Sequence, residues 1–190
     1  HYKDPKISDQ IFSDGLSKGS TNSVAIEIAD ALKLYPNDLT ESAIDEIYIG
    51  RNLKISTKDA SGKTERVSVP GVNLQNSQKI ILEFSDDPLL FRKTIHHEIA
   101  HKLLETYPMY FDQKTWANLD PAADEDAKIA ENLFVYDPLF WDRVNHSKKL
   151  EKKVNFIIQF YHQLDPQFTK AYFETQSLPW KPSLPIGDKN

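Results

Sequence analysis

The sequence predicts an α+β fold, and three observations carry that reading. Apolar and polar residues alternate over residues 44–55 and 64–72, and residues 79–84 form a compact apolar run, as strands do. Apolar residues recur at helical spacing from Val24 to Tyr35 and again from Pro88 onward. After Tyr107-Pro108 the strand signal disappears and only helical patterns remain. The chain therefore divides into a polar N-terminal arm, 1–21, a strand-containing lobe, 22–106, and a mostly helical lobe, 107–190.

Residues 1–21 are rich in Lys, Asp, Ser and Gly and show little periodicity. Thr21, Asn22 and Ser23 are good helix-capping residues, and the stripe Val24, Ile26, Ile28, Ala29, Leu32 and Tyr35 follows until Pro36 stops it. Ile47, Ile49, Leu53 and Ile55 on one side and Val67 and Val69 on the other flank Asp59-Ala60-Ser61-Gly62-Lys63, which reads as a β-hairpin. Ile80-Ile81-Leu82 forms the heart of a further strand, bounded by polar turn residues. Ser85-Asp86-Asp87-Pro88 then gives a helix start, acidic and with proline in the first turn, for a helix over 88–105. Further helices are predicted over 113–119, 121–136, 147–164 and 166–175, while Leu178-Pro179-Trp180-Lys181-Pro182 cannot be helical throughout.

With 190 residues, 39% of them hydrophobic and 27% charged, the chain suits one globular domain, expected to be a monomer. A net charge of -5 and a pI near 5.7 provide no basic field, so nucleic acid is not an expected partner. No apolar run approaches the roughly 20 residues that span a bilayer. There is no cysteine, so a metal would have to sit on His, Asp and Glu. Absent cysteines and a first residue His1 rather than Met fit a secreted or extracytoplasmic bacterial protein, with delivery into a host cell as an effector the other reading.

His97-Glu98-Ile99-Ala100-His101 matches H-E-x-x-H. At ~100° per residue, positions i and i+4 lie only ~40° apart on a helix, so His97 and His101 project from one face and can share an ion. Glu98 is rotated ~100° from His97, which lets it reach a water without joining the ligands. Leu90, Thr94, His97, His101 and Leu104 line one face of this helix and Ile95, Ile99 and Leu103 the opposite one, so the helix is expected between two layers. His96 points ~100° away from His97 and is read as a supporting or surface residue. A catalytic zinc takes three protein ligands and keeps a fourth position open. The third is sought among the acids that open the predicted helix at Asp124-Glu125-Asp126, though acids there also complement a helix dipole.

This pattern, a strand before H-E-x-x-H and an acid-led helix after it, resembles the zincin metallopeptidases, specifically the gluzincin branch; the resemblance covers about residues 78–136. It implies a zincin-like fold, with a small N-terminal mixed sheet packed on the motif helix and a mostly helical C-terminal half. It also implies a Zn2+-dependent endopeptidase acting on protein or peptide substrates. His97 and His101 become zinc ligands, Glu98 the general base, and Glu125, which opens Glu125-Asp126 as the family's glutamate helix does, the third ligand. That family often has Ala three residues and an acid four residues after its ligand, whereas Lys128 and Ile129 stand there and Ala-Glu falls at Ala130-Glu131, so Glu131 and Asp124 remain rivals. The metzincin branch is excluded, because Lys102-Leu103-Leu104-Glu105-Thr106-Tyr107 holds no further Gly and His. His146 and Tyr136 are candidate donors to a transition state, and residues 79–84 a candidate edge for an extended peptide.

Two other readings compete. One is a catalytically silent zincin-fold binding module. The other is an interaction protein whose partner surface joins the acidic helix to the aromatic tail Phe156, Phe160, Tyr161, Phe168, Tyr172, Phe173 and Trp180. Helical spacing of Val154, Ile157, Ile158, Tyr161 and Leu164 favours core over surface for that tail.

Overall fold

The computed structural model describes residues 11–16, 18–58, 60–119 and 124–175. Strand β1 (Ile11–Asp14) is followed by helices α1 (Lys18–Leu32) and α2 (Asn37–Ala43), then by strands β2 (Glu46–Lys58), β3 (Thr64–Ser68), β4 (Gly71–Leu74) and β5 (Lys79–Glu83). Helix α3 (Pro88–Thr106) carries the H-E-x-x-H motif, and a 3-10 turn at Pro108–Tyr110 ends it. Helices α4 (Gln113–Ala117), α5 (Asp126–Phe134), α6 (Pro138–His146), α7 (Lys148–Leu164) and α8 (Lys170–Thr175) complete a mixed α+β molecule.

The sheet is mixed and runs β1-β2-β5-β4, with β3 also paired to β2. Long β2 serves two neighbourhoods. Its first half pairs in parallel with β5, Ile47 opposite Ile80 and Ile49 opposite Leu82, and its second half pairs antiparallel with β3, as the predicted hairpin requires. β1 joins the other side of that second half, with Ile11 opposite Ile55. Asn52, at φ 55°, lies between the two halves, in the left-handed region where Asn is among the better-tolerated residues.

Alternation along β5 divides the apolar contacts. Ile80 and Leu82 enter the main core with the helices, while Ile81 joins Leu53 and Leu74 in a smaller cluster. In the main core Phe91, Ile95, Ile99 and Leu103 of α3 are fully buried, and α3 packs against β4, β5, α1, α2 and α5. The helix thus lies between layers, as its two apolar faces require. The aromatic tail closes the core from the far end. Phe134, Tyr161, Phe168 and Phe173 meet at ring centroid separations of 5.1 to 6.1 Å, which makes them core residues and not a partner surface.

Several elements differ from expectation. β1 and the first turn of α1 fall inside the stretch expected to be an arm, because a four-residue strand is too short to show a period. α2 and α6 went unread, although Asp137 caps α6 with hydrogen bonds from the Leu139 and Phe140 amides ahead of the favoured Pro138. α5 begins at Asp126, five residues later than predicted; residues 120–123, 1–10 and 176–190, the last including Trp180 and the 178–182 stretch, lie outside the described residues. Residues 79–84 are not an edge. β5 is paired on both sides, by β2 and by β4, and the outer position belongs to β4. An isolated apolar run marks a buried strand, and buried strands are the central ones. Among the described residues no helix is long and apolar enough to cross a membrane.

Candidate metal centre

Asp87 caps α3, its carboxylate accepting the Leu89 and Leu90 amide hydrogens, and Pro88 occupies the first helical position where no intrahelical donor is needed. The helix then runs unbroken through the motif. His97 and His101 are brought face to face, with their Nε2 atoms 3.1 Å apart and their rings nearly perpendicular at 82°. Two nitrogens on adjacent corners of a tetrahedral zinc site lie about 3.3 Å apart when each bond is about 2.05 Å. The spacing is compatible with such an ion and is equally that of a hydrogen bond between the two rings.

The second nitrogen of His97 is also held. Nδ1 lies 3.1 Å from Glu131 Oε2, so that with the proton on Nδ1 the Nε2 lone pair would face His101. Lys128 Nζ stands 2.7 Å from the other oxygen, Oε1, so the buried carboxylate has a partner at each oxygen. Glu131 comes from α5, packed against α3. Burial pulls His97 toward neutrality, but Glu131, Glu98 and Glu125 outweigh it and raise its pKa. His101 goes the other way, lowered by burial and by His97 against the pull of Asp126 and Glu125.

Glu98 is buried, and burial pushes its carboxyl up to about 7 against the pull of His97 and Lys102. The backbone of β4 passes directly over it. A Cβ at Gly71 would lie 2.5 Å from Glu98 Oε1 and 2.7 Å from its Cγ, so only glycine lets the strand approach this closely. The general-base candidate is thus placed between the two histidines' helix and the outer strand of the sheet.

The rivals for third ligand separate. Asp124 is engaged by Arg143, whose Nη2 donates to both carboxylate oxygens at 2.8 Å. Glu131 holds His97 Nδ1, the nitrogen turned away from the pair. Position 127, one turn earlier on the same face of α5, is a fully buried alanine with no donor to give. Glu125 is exposed at the N-cap of α5, makes no capping hydrogen bond, and its charge acts on both His97 and His101. Asp126, the last of the three acids that open the predicted helix, acts on His101. Among the described residues no group of three or more His, Asp and Glu side chains closes on one point, so neither Glu125 nor Asp126 is drawn onto the pair in this structure.

His96 is a buried brace. Its Nδ1 is 2.8 Å from Tyr35 Oη, and its ring stacks on Phe134 at 5.1 Å and 11°, joining α3 to the segment after α1 and to the end of α5. The same α3–α5 contact brings Glu131 to His97. His146 lies on the surface, its side chain 77% exposed and its Nδ1 bonded back to the Asp142 carbonyl, and Tyr136 packs partly buried against the core. Neither is brought to the histidine pair by any contact described. Compared with known proteins, the chain matches no family model, no curated protein and no solved structure.

Proposed function

We propose that this chain is a zinc-dependent endopeptidase with a zincin-like fold, in which His97, His101 and Glu125 hold the ion and Glu98 is the general base. The observation that carries the reading is the convergence of the two Nε2 atoms at 3.1 Å with Glu131 braced against the far nitrogen of one ring. A zinc ion held there by His97, His101 and Glu125 would supply Lewis acidity. Glu98 would take a proton from the attacking water and return it to the leaving amine. β4, whose outer side carries no strand among the described residues, offers backbone groups to which an extended peptide can add beside Glu98.

The test is cleavage of a peptide library by the purified protein, before and after chelation and again with zinc restored. Cleavage that is lost on chelation and returns with zinc supports the reading; cleavage indifferent to chelator defeats it. One observation favours a second reading, the catalytically silent zincin-fold module. Ala127 stands one turn before Glu131, where that face of α5 could have carried a donor. Stoichiometric zinc with no cleavage of any library member would select that module over the peptidase.

A further inference from the structure

Glu98, Lys102 and Glu105 stand at i, i+4 and i+7 of α3 and so form one stripe, turned ~90° from the stripe of His97 and His101. Every member of that stripe touches β4 or the turn that follows it. Glu98 lies against Gly71 at the start of the strand. Lys102 is fully buried, and its ammonium donates to the Leu74 carbonyl at 2.7 Å, to the Ser77 carbonyl and to Glu105 Oε2 at 3.0 Å, using all three of its hydrogens. Glu105 accepts the Asn76 amide hydrogen at 2.6 Å and the Asn73 side-chain amide at 3.2 Å. Asn76 is held at φ 58°, a left-handed turn position.

A buried ammonium is an expensive way to glue a turn to a helix, since well-packed apolar residues of similar volume often serve as well or better. What the ion pair adds is direction: three carbonyl and carboxylate oxygens fix one point of the turn, and Glu105 fixes a second. We propose that Lys102 and Glu105 are positioning residues that lock the register of the outer strand β4 against Glu98, and so set where a bound peptide's scissile carbonyl falls relative to the histidine pair. This role rests on the peptidase reading. The clamp itself does not, because it can be followed without substrate.

The experiment compares wild type with K102M and E105Q, in the full chain. Backbone hydrogen exchange is measured over residues 71–78, together with zinc content and the KM and kcat for a cleaved peptide. The expected result in the variants is exchange in the turn at least about tenfold faster than in wild type with the rest of the sheet unchanged, zinc content unchanged, and kcat lowered about tenfold, because a displaced strand misplaces the scissile carbonyl. Exchange in the turn equal to wild type in E105Q, or faster turn exchange with kcat unchanged, overturns the proposal. Should K102M not fold, E105Q, which keeps the side chain's shape and removes its charge, carries the test alone. A wild-type protein that cleaves nothing would overturn the peptidase reading and with it the catalytic role of the clamp, whereas an unaltered turn overturns the clamp whatever the protein cleaves.

Discussion

Among the described residues His97 has partners at both ring nitrogens and His101 at one, and that asymmetry orders the acids around them. Glu131 acts through His97 Nδ1, Asp124 is engaged by Arg143, and Glu125 makes no capping hydrogen bond. Loss of an orienting carboxylate typically weakens metal binding by about 10- to 100-fold. Zinc affinity measured by competition with a chromogenic chelator is therefore expected to fall about 10- to 100-fold in Glu131→Ala, further in Glu125→Ala, and hardly at all in Asp124→Ala. A larger loss in Asp124→Ala than in Glu125→Ala would reverse the assignment. The three motif residues were legible because their relation is local: four residues of helix fix the angle between His97 and His101 whatever surrounds them. The role of Glu131 was not, since it depends on how α5 comes to lie on α3, 34 residues away in sequence. Whether His96 would be a supporting or a surface residue stayed open for the same reason. Its rotation from His97 was read from the helix, but the pocket of Tyr35 and Phe134 that receives it comes from distant segments.

At the scale of elements, α3 is defined at its start by Asp87 and along its length by two stripes with different partners. Removing the cap in Asp87→Ala is expected to lower unfolding free energy by about 1 kcal/mol in urea titrations while leaving zinc content unchanged. The stripe facing β4 has its own pH signature. Burial pushes the Glu105 carboxyl up, but the Asn76 amide, Lys102 and Asn73 outweigh it and hold it below the ordinary glutamate range. A carboxyl depressed on folding contributes stability above its unfolded pKa, near 4.5, and that contribution is lost as pH falls toward the folded value. Stability of wild type should thus decline below about pH 4.5 more steeply than that of Glu105→Gln; parallel acid profiles would show that the carboxylate does not hold the turn. Strand order explains which elements could be anticipated. The β2–β3 hairpin is a neighbour pairing with a Gly62 turn and was read correctly, whereas the parallel β2–β5 pair and the outer place of β4 depend on a crossover that no local period reveals.

Taken whole, the molecule places its candidate chemistry where the sheet-bearing part meets the helical part, with α3 touching both. β4 brings the strand edge to one side of α3, and α5 brings Glu131 and Glu125 to the other. Because the histidines and the acids come from different parts of the fold, an ion bound between them links those parts and stabilises the native state by mass action. Zinc at about 100 times its dissociation constant is expected to add about 2.7 kcal/mol, seen as a rise in Tm that Glu125→Ala diminishes. A Tm indifferent to zinc would separate the fold from the metal. The main core does not depend on that ion, since Phe91, Ile95 and Ile99 of α3 and the aromatic group around Phe134 are buried by side chains alone. The central claim is narrower: the histidine pair holds zinc and Glu98 moves the proton. It is tested most directly by zinc content and peptide hydrolysis measured side by side on wild type and Glu98→Gln. The expected variant retains one zinc per chain and loses hydrolysis by at least about a hundredfold. A Glu98→Gln protein that holds zinc and cleaves at the wild-type rate would contradict the account.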